Sequence, residues 1–338
     1  MAKSLGNSAF PKATAAQKRA GVLETVKNLF KVPEFILLLA VIVLMIFGGI
    51  VNPRFLDIEN LKIVTRDIAI LAIAAVGVGF PILTGGIDLS IGSLVGFGGV
   101  MAAFFIMTWG MPIWLGILMT LGLGVLIGLA HGLFVTKLKM HGFLITLVTF
   151  GLARGFILVL TNAFPITGLP AAFNWLGQGY LFDLIPIPVV ICILVAGSLF
   201  YLLHYSYIGR HIYAAGGNIE AARFSGVKVD ARIILCYIIS VVCASIVGMI
   251  QAGRLTMGHP GSGEGYELLA ITACILGGVS FAGGAGGIPG MLVGASMIGL
   301  LQNEMVMLNV NPYWHKIVIS LVLLAAITFD YVRRRRRV

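Results

Sequence analysis

Long apolar runs broken by short polar stretches dominate this chain. A bilayer core takes about 20 apolar residues per helix, with a working range of roughly 17 to 25. On that rule ten spans are predicted, at about 35–51, 67–84, 90–108, 113–136, 143–161, 185–203, 231–251, 267–281, 287–302 and 315–331. The eighth and ninth are short, separated only by the glycine-rich run from Phe281 to Pro289. Each span is expected to be helical, because lipid offers unpaired backbone groups no hydrogen-bond partner. The alternating pattern of an outer-membrane barrel strand is absent. The expected fold class is therefore an all-α polytopic membrane protein. Residues 1–34 are expected to form a cytoplasmic leading segment, 35–331 the transmembrane domain with a long inner loop at 204–230, and 332–338 a basic cytoplasmic tail.

Composition agrees with lipid as the solvent. Of 338 residues, 59% are hydrophobic and 11% charged, against roughly 25% charged in ordinary soluble domains. The 44 glycines suit membrane helices, which approach closely through small residues. The net charge of +10 does not point to nucleic acid, because it gathers at the two ends. With ten spans, 17 of the 23 Lys and Arg fall on one side, which the positive-inside rule makes cytoplasmic. Five (Arg54, Lys62, Arg66, Arg254 and Lys316) fall on the other, and Arg154 lies within the fifth span. Trp109, Trp114, Trp175 and Trp314 all map to outer loops or outer span ends, where an interfacial aromatic belt sits. The first thirty residues show no removable signal peptide.

Cys192, Cys236, Cys243 and Cys274 lie in apolar runs with no paired spacing, and read as small buried hydrophobes. No phosphate-binding Gly-x-x-x-x-Gly-Lys-Ser/Thr, His-Glu-x-x-His or Gly-x-Ser-x-Gly motif occurs. The expectation is a chain that is not an enzyme, holding no cofactor and no metal of its own.

Several polar positions stand out against this background. Within 204–230, Gly216-Gly217 ends one element, Asn218 is placed to cap a short helix over Ile219–Phe224, Glu220 sits in its first turn, and Gly226 after Ser225 stops it. Such a helix is either an ordinary connection or a docking element on the cytoplasmic face. At the turn after span two, Thr84-Gly85-Gly86 ends a helix, and Asp88 or Ser90 is placed to cap the next. A second reading puts this turn at the inner mouth of a pathway. Arg154 needs a cavity or a partner within the bundle. Glu264 and Glu267 flank Tyr266 at the start of span eight, as solvated charges or as contacts for a soluble partner outside. Gly286, Gly290 and Gly294 recur every four residues as a packing stripe, or as pore lining.

The run Gly216-Gly217-Asn218-Ile219-Glu220-Ala221-Ala222-Arg223-Phe224-Ser225-Gly226 closely resembles the cytoplasmic loop of ribose/xylose-type ABC importer permeases, in the family that also includes branched-chain amino-acid permeases. Leu83-Thr84-Gly85-Gly86-Ile87-Asp88-Leu89-Ser90-Ile91-Gly92-Ser93 resembles the same family's signature, as do Gly265-Tyr266-Glu267-Leu268, Leu276-Gly277-Gly278 and Phe281-Ala282-Gly283-Gly284. The likeness runs from about residue 55 to 330. It implies a type II ABC importer-like fold, and a second permease copy or paralogue completing the channel in the lipid. It also implies two cytoplasmic ABC ATPase subunits that carry ATP and Mg, and a periplasmic or extracellular solute-binding protein. Residues 216–226 would then bear on the ATPase, with Glu220, Ala221 and Ala222 foremost. Gly85, Gly86, Asp88, Ser90 and Arg154 would serve the pathway or gate, and Glu264 and Glu267 would meet the binding protein. The implied cargo is a monosaccharide or relative of the ribose, xylose, inositol or autoinducer-2 class. Branched-chain amino acids or nucleosides are the nearer alternative. An ion-coupled secondary transporter is the farther one, disfavoured because acidic residues fall at span ends.

Overall fold

The computed structural model describes residues 33–335; the expectations for most of the leading segment and for the last three residues lie outside them. The chain is built from helices: α1 (Pro33–Val51), α2 (Ile58–Leu83), α3 (Ile91–Ala103, continued by a π-turn to Thr108), α4 (Ile113–Lys137), α5 (Gly142–Thr161), α6 (Ala171–Gln178), α7 (Ile187–Tyr205), α8 (Tyr207–Gly217), α9 (Ile219–Phe224), α10 (Val229–Leu255), α11 (Tyr266–Leu276), α12 (Ile288–Met307) and α13 (Pro312–Arg335). Two small antiparallel pairs stitch the connections: β1 (Ile166–Thr167) with β4 (Met257–Gly258), and β2 (Tyr180–Leu181) with β3 (Ile185–Pro186).

Among the described residues, six helices (α2, α3 with its π-turn, α4, α5, α7 and α10) are long and apolar enough to cross a membrane, and shorter apolar helices lie within α1, α11 and α13. The chain is a multi-pass membrane protein. The apolar windows of α2, α3 and α10 are 72%, 83% and 67% buried, whereas those of α4, α5 and α7 are only 22–28% buried. The first three therefore form the core, and the second three turn side chains such as Leu126, Leu152, Val159 and Leu194 outward to lipid.

Helix α4 shows how an all-round apolar sequence chooses a face. Its buried positions are Gly116, Thr120, Gly124, Gly128, Gly132 and Thr136, a four-residue repeat of small side chains, with His131 beside them. A Cβ at Gly128 would lie 2.5 Å from the Ile238 Cα, and one at Gly132 2.5 Å from the Ile234 Cα, so α4 and α10 meet backbone to backbone. The stripe expected at residues 286–294 behaves this way in part. Gly290 and Gly294 pack on Gly277 and Ala273, while Gly286 lies outside the helix at φ +126°.

The connections segregate to two ends. At one, Leu83 O accepts from Gly284 N (2.9 Å), Tyr213 Oη donates to Gly286 O (2.7 Å), and Lys137 reaches Asp230 (3.2 Å). This is the glycine-loop end. At the opposite end, Arg254 pairs with Asp67, Asn60 with Asn303, Lys316 with Glu264, and Arg66 donates to Tyr180 Oη (2.5 Å).

The eighth predicted span needs correction. Helix α11 has 11 residues, about 16 Å at 1.5 Å per residue, and cannot cross a core of about 30 Å. The chain between α10 and α11 instead runs back along α3: Gly258 packs on Ala103 and Gly99, Ser262 O on Gly96, and Gly263 on Gly92 and Val95. Non-helical backbone inside the bundle, here a series of turns after the two-residue strand β4, leaves carbonyls without helical partners. Arg154 of α5 supplies the donors, bonding Pro260 O, Ser262 O (3.0 Å) and Gly92 O (3.3 Å). The ninth span also differs, continuing through Gln302, Asn303 and Glu304 to Met307. Asn303 is held by reciprocal amide bonds to Asn60 (3.1 and 3.0 Å), and Glu304 is buried. Acidic residues thus do occur inside helices, at Asp67 and Glu304 as well as Glu267.

This packing sets two expected outcomes. Gly132→Leu is expected to destabilise the folded chain by about 1–3 kcal/mol through overpacking, while Gly151→Leu, with nothing within 4 Å of its Cβ, leaves it unchanged; thermal unfolding in detergent compares them. Arg154→Met is expected to cost roughly 1.5–3 kcal/mol, the worth of charge-assisted hydrogen bonds. It should also speed thiol labelling of a Ser262→Cys variant as segment 256–265 loosens.

Candidate functional site

Three glycine-bearing turns converge at the glycine-loop end: the end of α8 at Gly216-Gly217, the turn 84–90 after α2, and the turn 277–287 after α11. Closeness dictates the residue types. A Cβ at Gly216 would collide with Leu83 O and stand 2.6 Å from Gly284 N, so any larger residue would push the three apart. Gly283 and Gly284 hold φ of +82° and +72°, and Gly85 holds +79°, conformations that only glycine adopts without strain.

From this junction α9 projects outward. Asn218 caps it, its Oδ1 accepting from Ala221 N at 2.9 Å, and Gly226 ends it at φ +80°. Helix bounds, cap and stop all match the sequence reading. Glu220 lies at the positively polarised N-terminus. Asn218, Glu220, Ala221, Arg223, Ser225 and Gly226 are exposed. Ala222 departs from expectation: it is 5% exposed and packs with Ala215, Val229, Ile233 and Tyr237. It seats the helix on its own chain and is not available to a partner. Phe224, not singled out from sequence, is 92% exposed. Its signal was an aromatic on a six-residue surface helix with no apolar neighbour to cover it. Arg223 pairs with Asp230 at 2.6 Å, and Lys137 pairs with the same carboxylate, so α9 is clamped to the start of α10 and the end of α4.

The turn 84–90 is tied inward. Asp88 is fully buried, its Oδ1 accepting from Ser90 N (2.9 Å) and Ser90 Oγ (2.5 Å), and its Oδ2 from Ser240 Oγ of α10 (2.7 Å). Ser90 takes the N-cap position of α3 without a side-chain cap bond to the helix. Asp88 instead closes the turn before it by holding the Ser90 amide and hydroxyl, so of the capping role expected for this pair only the position of Ser90 is met. Leu89 N donates to Thr146 Oγ1 of α5 (3.2 Å). The hydroxyl of fully buried Tyr237 enters the same region, where a Cβ at Gly86 or at Gly142 would collide with it. Among the described residues it has no hydrogen-bond partner.

Arg154 stands apart from this cluster, on segment 256–265. Glu267 stands near it: a Cβ at Gly92 would collide with Glu267 Oε2, and that oxygen is buried without a partner among the described residues. Its carboxylate thus points into the bundle and not to an outer surface, whereas Glu264 is exposed and paired with Lys316 at 3.1 Å.

Known proteins share this chain's sequence over most of its length. The family described as branched-chain amino acid transport system / permease component matches residues 60–327. The ribose import permease protein RbsC of Escherichia coli (strain K12) is 39% identical over 299 residues, covering 87% of this chain and 92% of the relative. Its namesake in Bacillus subtilis (strain 168) is 38% identical over 294 residues, covering 86% and 91%. The xylose transport system permease protein XylH of Escherichia coli (strain K12) is 31% identical over 364 residues, covering 89% and 92%. No solved structure matches the chain. With the family matched across nearly all of the membrane-spanning region, the chain belongs to the branched-chain amino acid transport system / permease component family.

Proposed function

We propose that this chain is the permease subunit of an ATP-driven importer for a monosaccharide or sugar-like solute, working in the bacterial inner membrane. The observation that carries the reading is α9: a capped, outward-facing helix whose root, Gly216-Gly217, is wedged between the turns at 83–86 and 283–286. The ribose and xylose permeases among its relatives support the cargo class.

In this reading ten segments cross the bilayer, with α11 and the segment before it making one crossing between them, and both termini are cytoplasmic. The segregation of the connections to two ends supports it, as does the basic excess on the glycine-loop end. All four tryptophans are more than half exposed, as an interfacial belt requires. Residues 1–34 and 332–338 are cytoplasmic flanks of the domain 35–331. The loop 204–230 receives the ATPase subunits, which hold ATP and Mg, while a solute-binding protein docks on the other face and a second permease completes the channel. Closure of the ATPase pair presses on Glu220, Ala221 and Phe224. Because Arg223 and Asp230 clamp α9 to α10, and Gly216 abuts α2, the push reaches the core helices without a flexible intermediary.

Two other readings have an observation each. Branched-chain amino acids are named in the family description. Ion coupling has the buried carboxylates of Asp88 and Glu304, of the kind that proton relays use; yet Asp88 is fully engaged by in-chain donors.

Phe224→Ala and Glu220→Arg are each expected to weaken ATPase co-purification and solute uptake about tenfold, equivalent to ~1.4 kcal/mol, with the permease still present in the membrane. Ala222→Trp is expected to lower the thermal stability of the permease itself. Unchanged association and uptake in the first two variants would contradict the docking surface.

A further inference from the structure

Between α2, α11 and α12 lies a cavity of about 300 Å³, lined in part by Asp67, Leu71, Tyr266, Leu269, Gln302 and Asn303. It belongs to the end of the bundle opposite the glycine loops. It exists because α11 starts inside the bundle, after segment 256–265 has run back along α3. Three separate helices bring polar side chains to it.

The hydrogen-bonding inventory is specific. Asp67 pairs with Arg254, so its charge is already countered. Tyr266 Oη accepts from Gln251 Nε2 at 2.7 Å, which leaves its O–H free to donate. Asn303 is occupied by Asn60. The Gln302 amide has no hydrogen-bond partner among the described residues, so two donors and an acceptor are open. Leu71 and Leu269 supply apolar wall. The lining therefore offers neutral donors and acceptors on an apolar frame, with no uncompensated charge. A carboxylate or ammonium entering it would lose hydration without meeting an opposite charge. A hydroxyl-bearing neutral molecule would exchange water hydrogen bonds for protein ones. The volume sits at the lower end of small-molecule sites, about 300–1,000 Å³.

We propose that this cavity is a binding site, within the permease itself, for a neutral polyhydroxylated solute of monosaccharide size. Gln302 and the Tyr266 hydroxyl bind its hydroxyl groups, and the Arg254–Asp67 pair keeps the site neutral. The inference rests on the sugar-import reading and gives that reading a location in the chain.

The test is cysteine accessibility, favoured by the burial of all four natural cysteines. Gln302→Cys, and separately Val306→Cys on the same wall, are labelled with a membrane-impermeant maleimide in washed membranes free of binding protein, with and without ribose or xylose. The expected result is labelling at both positions, slowed about tenfold when the sugar exceeds its dissociation constant about tenfold, and unaffected by leucine. Adding Tyr266→Phe, which keeps the ring and removes the donor, should raise the sugar concentration for half-protection several-fold. Uptake by the wild-type transporter, assayed in parallel, separates the two claims. Absent labelling at both positions, or labelling indifferent to a sugar that the wild type imports, overturns the site and leaves the import reading standing. Protection by leucine and not by sugar overturns both.

Discussion

In a hydrocarbon solvent a backbone carbonyl without a partner is among the most costly groups a chain can bury, and this chain buries several on purpose. Segment 256–265 runs along α3 as non-helical backbone, and the Arg154 guanidinium collects Pro260 O, Ser262 O and Gly92 O. The arrangement meets two needs at once. A cation that would be expensive inside α5 finds acceptors, and a non-helical segment that lipid would not tolerate finds donors. The rest of this end of the bundle depends on that exchange: α11 begins within the bundle, α12 lies against α2 at Gly299, and a cavity opens between these helices.

The opposite end of the molecule answers a different constraint, that of close approach. Gly216, Leu83 and Gly284 meet with no room for a side chain between them. The turn 84–90 links the two regions. Its start lies in the glycine junction, Asp88 is tied to Ser240 of α10, and Gly92 just beyond it is held by Arg154. An unbroken series of backbone contacts and hydrogen bonds therefore runs from the root of α9 to segment 256–265. In the proposed function, this series joins the face that receives the ATPase to the face that receives the solute.

Much of this was legible in the sequence where one local rule governs. Asn218, Glu220 and Gly226 delimit a short helix whatever surrounds it, and apolar run lengths placed α4, α5 and α7 closely. Legibility failed where tertiary contacts override run length. The apolar stretch 267–281 looks like a span, yet its helix stops at Leu276, and the missing length is made up by segment 256–265, whose Gly258 and Gly263 pack on α3. The polar trio Gln302, Asn303 and Glu304 looks like a span end, yet α12 continues because Asn60 is there to receive Asn303. Ala222 and Phe224 differ only in which side of a six-residue helix they occupy, and a helix so short has no periodicity to read.

Transport driven by a partner ATPase acting on α9 differs in its energy source from transport driven by an ion gradient acting on Asp88 or Glu304. Solute uptake by cells or vesicles carrying the whole transporter separates the two most directly, with the two energy sources removed one at a time. Uptake is expected to stop when ATP is depleted with the membrane potential and pH gradient held. It is expected to continue when a protonophore and a sodium ionophore collapse the gradients with ATP maintained. Uptake that survives ATP depletion and is abolished by the ionophores would contradict the coupling role of α9.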